Sequence, residues 1–281
     1  MTTPDSSQLL PLGLAPRPIA GPDLAARLRA AIVALAPGAD GSPVSVTAEV
    51  DDADVPVLAV DLTGLVVPEP PQASPTLEPD VRERAAGTVG TFQLDAHPVT
   101  VAGVPVDVRA RLASVPFTWV TARDDTLWWE LVEPTADAPV TGDVRLAVPR
   151  EKLLEVVRVQ VERAASARGV TVSQLDVDLV SRGPRVLAVA VRARVRKGLL
   201  SASAQAHATA TVDDDLVLTL SDVDVSSGNP IVAAMLAGAR GRVDRVAARP
   251  IDLARRLPRG VRLTDVQIDV GDDVVLTARA S

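Results

Sequence analysis

Apolar and polar residues alternate along most of this chain and switch to helical spacing at only a few points. The first is "GPDLAARLRAAIVALAPG", which begins at Gly21. Leu24, Leu28, Ile32 and Leu35 recur at helical intervals with Ala31 in the same stripe, so one face of this helix is apolar. Pro22 suits the first turn, Asp23 complements the positive end of the helix dipole, and Pro37-Gly38 ends the pattern. Alternation takes over in "SPVSVTAEVDD", where Val44, Val46, Ala48 and Val50 share one face, and in "VPVLAVDLTGLVV". The proline-rich "PEPPQASPTLEP" predicts a surface connection, because proline cannot donate to a strand ladder. Four more strand-like runs follow: "TVGTFQLDAHPVTV", "VPVDVRARLASV", "FTWVTA" and "TLWWELVE", with turns at Ala102-Gly103 and Asp124-Asp125.

A second unit with the same plan begins near Asp143. "VPREKLLEVVRVQVERAASARG" opens a helix at Pro149, carries Leu153, Val157, Val161 and Ala164 as its stripe, and stops at Gly169. Strands return in "VTVSQLDVDLVSRG", "PRVLAVAVRARVRKG", "LSASAQAHATATVDD" and "DLVLTLSDVDVSSG". Asn229-Pro230 caps and starts a last helix over "IVAAMLAGARGRVDRVAA", and two strands around Gly271-Asp272-Asp273 close the chain. The expected organisation is a flexible tail over 1–21 and one α+β domain over 22–281. That domain is built from two helix-plus-strands units, about 22–134 and 143–281. "VDVRAR" at 106–111 and "VAVRAR" at 189–194 echo one another across the two units.

Composition narrows the function classes. Of 281 residues, 47% are hydrophobic and only 2% aromatic, so the apolar content is aliphatic and implies a sizeable core. A net charge of -7 argues against nucleic acid, which needs a clustered excess of Lys and Arg. No uncharged apolar stretch is long enough for a membrane helix, and the proline-rich start lacks a basic region before an apolar one. The expected location is therefore cytoplasmic. With no cysteine there is no disulfide, thiolate metal site or cysteine nucleophile. No nucleophile elbow, zinc motif, phosphate loop or dinucleotide fingerprint is present, so no catalytic residue, metal ligand or cofactor is assigned. Asp51-Asp52, Asp124-Asp125, Asp213-Asp214-Asp215 and Asp272-Asp273 fall at predicted turns, where side-chain to backbone hydrogen bonds explain them.

All three tryptophans lie within residues 114–134. Phe117 and Trp119, two apart, share a strand face, whereas the adjacent Trp128 and Trp129 must point to opposite faces. They read either as a plug in the core or as one end of an apolar binding site. A second cluster is basic: Arg240, Arg242, Arg245, Arg249, Arg255, Arg256, Arg259 and Arg262 accompany only Asp244 and Asp252. It is either a solvated helix face or a match for a phosphate-bearing headgroup. His97 and His207 are isolated on separate strands, and a hydrolase assembled from such scattered residues is a third possibility.

The order "VPREKLLEVV", long strands, "NPIVAAMLAG", then "LPRGVRLTDVQIDVGDDVVLTARA" resembles the LmeA-like phospholipid-binding family of actinobacteria, and more distantly the TULIP-like lipid-binding superfamily, over residues 88–281. The resemblance implies a long, strongly curved antiparallel sheet wrapped around long amphipathic helices, with a hydrophobic groove for acyl chains and no enzyme activity. On that reading Phe117, Trp119, Trp128, Trp129, Leu153, Val157, Val161 and Met235 face the lipid, and Arg240, Arg242, Arg245 and Arg249 meet the headgroup. The partner is then a lipid or other hydrophobic small molecule, with transient membrane contact. The alternative is a structural or protein-interaction module whose interior is filled by its own side chains, a homodimer through open strand edges being one form.

Overall fold

A computed structural model of the chain describes residues 9–68, 79–135, 137–166, 171–197, 200–213, 216–229, 250–252 and 263–280. It divides into two compact units. The first comprises Met1–Ala147, Leu257–Thr264 and Thr277–Ser281, and the second Val148–Arg256 and Asp265–Leu276.

In the first unit, β1 (Leu9–Leu14) precedes α1 (Gly21–Ala34), followed by β2 (Ser45–Ala48), β3 (Val55–Asp61) and β4 (Val66–Val67). The spine is a hairpin of two long strands, β5 (Val81–Val101) and β6 (Val104–Ala122), antiparallel from Val81↔Ala122 to Val101↔Val104. Its turn is Ala102-Gly103, with φ of 51° and 82°, the left-handed pair that a tight hairpin needs. The opposite edge of β6 is shared by β7 (Thr126–Leu131), paired over 117–121, and β8 (Thr141–Pro149), paired over 107–113. On the other side β3 pairs with β5 in parallel, so the sheet is mixed rather than purely antiparallel. β2 forms the end of the strand order. Residues 9–14, expected in a flexible tail, pair with β7 as β1.

The two runs "VPVDVRARLASV" and "FTWVTA" form one strand. Ala110 and Leu112 are buried before Ser114, and Val115, Phe117 and Trp119 after it, so the inward face changes phase there. Ser114 takes φ of 58°, which turns the backbone enough to make one strand read as two. α1 buries Leu24, Leu28 and Ala31 against the same core with Ile32 partly buried beside them, while Leu35, expected in the same stripe, caps the helix and is exposed. Its start lies so close to β2 that a Cβ on Gly21 would sit 1.9 Å from the Ala48 carbonyl oxygen.

In the second unit, α2 (Arg150–Ser166) leads into β9 (Thr171–Gly183), β10 (Val186–Lys197), β11 (Leu200–Val212), β12 (Val217–Ser227) and β13 (Ile251–Asp252). These five strands form an antiparallel meander in the order β13-β12-β11-β10-β9, with α2 packed beside β9. The chain ends with β14 (Leu263–Val270) and β15 (Asp273–Ala280).

This architecture corrects the expected fold class. Among the described residues the chain is mostly β, and its sheets are not strongly curled. Among the described residues there are two helices, of 14 and 17 residues, and no sheet wraps around them. The physical reason is the length of the alternating stretches: strands of 21, 19 and 13 residues leave little chain for helix. The helix expected after Asn229 lies outside the described residues. The TULIP-like arrangement that the resemblance implies is therefore not the fold observed.

Candidate functional site

The aromatic stretch assembles into one cluster in the first unit. Phe117 and Trp119 project from β6, and Trp129 from β7 stands directly opposite Trp119. The Phe117 and Trp129 rings stack with centroids 3.7 Å apart, and Trp119 meets each edge-on, at 5.2 Å and 5.1 Å. All three side chains are buried. Such pairs contribute about 0.5–1.5 kcal/mol each beyond their burial. The Trp119 indole N–H, buried with its ring, donates to the Ala53 carbonyl at 2.8 Å. Trp128 points the other way, is half-buried, and donates to the Thr126 hydroxyl at 2.9 Å.

A residue the sequence reading did not single out makes this packing possible. Gly87 on β5 is the cross-strand neighbour of Phe117. A Cβ there would sit 2.4 Å from the Ala53 oxygen and 2.6 Å from the edge of the Phe117 ring. The available signal was a glycine inside an alternating strand, which marks close approach by another group.

Beside the cluster lies an open cleft of about 720 Å³. Its apolar wall is Leu14, Ala85 and the edge of Trp119, and its rim carries Arg17, Arg82 and Glu83. Arg17 pairs with Asp52 and Arg82 with Asp125.

The outward face of β5 and β6 holds a polar cluster. Arg111 donates to both oxygens of Asp95, at 3.0 and 2.7 Å, and the Arg111 guanidinium holds that carboxyl below its ordinary value. His97 lies 3.6 Å from Asp107, with its Nε2 3.2 Å from Arg109. Its backbone N–H donates to the Thr63 hydroxyl at 3.0 Å. His207, on β11 in the second unit, stands opposite Asp224 in register. Two of the aspartates expected at turns act there: Asp124 accepts from the Thr126 N–H and hydroxyl, and Asp213 from the Val217 N–H, whereas Asp52 and Asp125 pair with Arg17 and Arg82. No group of three potential metal ligands occurs among the described residues.

In the second unit, Leu153 and Val161 lie on α2, half-buried. α2 is fastened to β9 by Arg150, which donates to Asp178 at 2.8 Å, and by Arg158, which donates to the Leu175 carbonyl. The Val157 side chain, Met235, Arg240, Arg242, Arg245 and Arg249 lie outside the described residues, as do Arg255, Arg256, Arg259 and Arg262. The structure therefore gathers Phe117, Trp119 and Trp129 together and sets Trp128 apart on the opposite face of β7. No helix of the described residues is long and apolar enough to cross a membrane.

Comparison with profiles of known protein families, with curated protein sequences and with solved structures finds no match in any of the three.

Proposed function

We propose that this chain is a non-catalytic interaction module, a self-filled β scaffold whose surfaces engage another protein. The observation that carries this reading is the aromatic cluster: Phe117, Trp119 and Trp129 pack on one another, with Phe117 stacked on Trp129 at 3.7 Å and all three side chains buried. The short edge strand β2 is a candidate place for a second strand to pair, including that of another copy. The test is native mass spectrometry of the full chain over a range of concentrations, with and without phospholipid and fatty acid. The expected result is a lipid-free mass that rises with concentration or with a captured protein.

A second reading, lipid binding, draws on one observation in the second unit. Val191, Ala193 and Val195 on β10, with Ala202, Ala204 and Ala206 on β11, form an apolar face of small residues that is only half-buried. Small side chains leave volume that an acyl chain can occupy. A lipid adduct in the same experiment, lost when larger side chains fill this face, supports the second reading and removes the first.

A further inference from the structure

The opposite face of the same strands carries a feature that neither reading uses. Arg192, Arg194 and Arg196 occupy alternate positions on β10 and are all exposed. β10 lies inside its sheet, held by β9 and β11, so the row is anchored on a fixed backbone. Arg194 stands between Gln174 and Ser203, and Arg192 between Asp176 and Gln205. Neither makes an ion pair or a side-chain hydrogen bond among the described residues. The acids beside them are engaged elsewhere: Asp178 holds Arg150, and Asp176 accepts from Gln174 at 3.1 Å.

We propose that this arginine row is a docking track for an extended acidic segment of a partner protein, one that carries Asp or Glu at every second residue. The proposal rests on the interaction-module reading and names the chemistry of its partner. Alternate residues of a strand are about 6.6–6.8 Å apart, the repeat of alternate side chains in any extended chain, so the guanidinium groups of Arg192 and Arg194 each meet one carboxylate. Arginine suits this task because its planar fork grips a carboxylate through two hydrogen bonds. Serine, glutamine and threonine on the adjoining strands, Ser201, Ser203, Gln205, Gln174 and Thr171, offer neutral hydrogen bonds to the rest of the segment.

The charge around the row selects a line rather than a plane. Asp176 and Asp178 flank it on β9, and Asp224 lies on the same face on β12. A broad anionic surface, such as a membrane or a nucleic acid, would press its charge against those carboxylates and against a chain of net charge -7. A single acidic strand lying along β10 places its carboxylates nearest the arginines.

The experiment is fluorescence anisotropy of a labelled alternating Glu-Thr peptide titrated with the full chain. Comparators are a peptide of the same composition with its glutamates in one block, and phosphatidylglycerol vesicles. The alternating peptide should bind more tightly than the blocked one. Binding should fall about fivefold for each of Arg192→Gln and Arg194→Gln. Arg194→Lys, which keeps the charge and tests folding of the strand, should fall less than Arg194→Gln. Equal affinity for the two peptides, unchanged binding by the double glutamine variant, or displacement of the peptide by the vesicles overturns the proposal. Lipid uptake in the mass spectrometry above would instead overturn the module reading, so the two failures are distinct.

Discussion

The two units share an alternating strand pattern but use it with side chains of different size. In the first, the inward positions of β6 and β7 carry Phe117, Trp119, Leu127 and Trp129, all almost wholly removed from solvent. In the second, the corresponding face of β10 and β11 carries valine and alanine, and every residue from Val186 to Val191 is only half-buried. Alternation determines which face is apolar. Side-chain volume, together with what covers that face, determines whether it is dry.

The largest expected effect of this difference is on truncation. Trp119→Ala removes a ring packed against two others and leaves the Ala53 carbonyl without its donor, at a cost of about 3–5 kcal/mol. Val191→Ala, its counterpart in the second unit, should cost about 1 kcal/mol, because the side chain is already partly solvated. Urea unfolding of both variants checks this, and equal losses would break the comparison. Adding volume should sharpen it. Gly87→Ala drives a methyl into the Ala53 oxygen and the Phe117 ring, costing about 1–3 kcal/mol. Ala206→Val, between Val191 and Val225, should change stability by no more than about 0.5 kcal/mol, since valine favours strands and the face has room. A penalty there as large as that of Gly87→Ala would show a face packed as tightly as the first.

Much of this was legible in the residues. The spacing of Leu24, Leu28 and Ala31 located α1 and its buried stripe, and Ala102-Gly103 located the hairpin turn. The adjacency of Trp128 and Trp129 required opposite faces. What escaped was non-local. Parallel pairing of β3 with β5 follows from how distant segments meet, which no local pattern carries. The phase change at Ser114 hid one long strand as two short ones. Alternation in "VLAVAVRARV" predicted strands correctly, but it is equally compatible with a sheet curled around a helix and with a flat meander. The choice of the curled form came from the resemblance. For the candidate site, periodicity placed Phe117 and Trp119 on one face, yet only the Ala53 carbonyl and the bare backbone of Gly87 explain why their rings close on Trp129.

Trp128 offers a smaller, spectroscopic test within the first unit. It is the half-buried tryptophan of the three, so acrylamide should quench its fluorescence while Trp119 and Trp129 stay protected. Trp128→Phe should remove the quenchable component at a cost below about 1 kcal/mol. Substantial quenching that persists in that variant would mean that the aromatic cluster opens in solution.

The smallest effect separates the two arginine-bearing strands that echo one another, "VDVRAR" and "VAVRAR". In the first unit, Arg111 lies against Asp95 and grips both its oxygens. In the second, Arg192 and Arg194 have no such partner among the described residues. Because Arg111 holds the folded Asp95 carboxyl below its ordinary value, protons bind the unfolded chain first as pH falls. The contribution of the pair is complete above the ordinary carboxylate range and fades as pH drops through the folded value. Asp95→Asn should therefore lower stability at neutral pH, by less than about 1 kcal/mol because both side chains are about a third exposed. The gap between wild type and variant should close below about pH 4. Arg192→Gln should leave the acid limb of the stability profile where it is, since it breaks no pair. If Arg192→Gln moves that limb as far as Asp95→Asn does, the second row is paired in solution and is not open to an acidic partner.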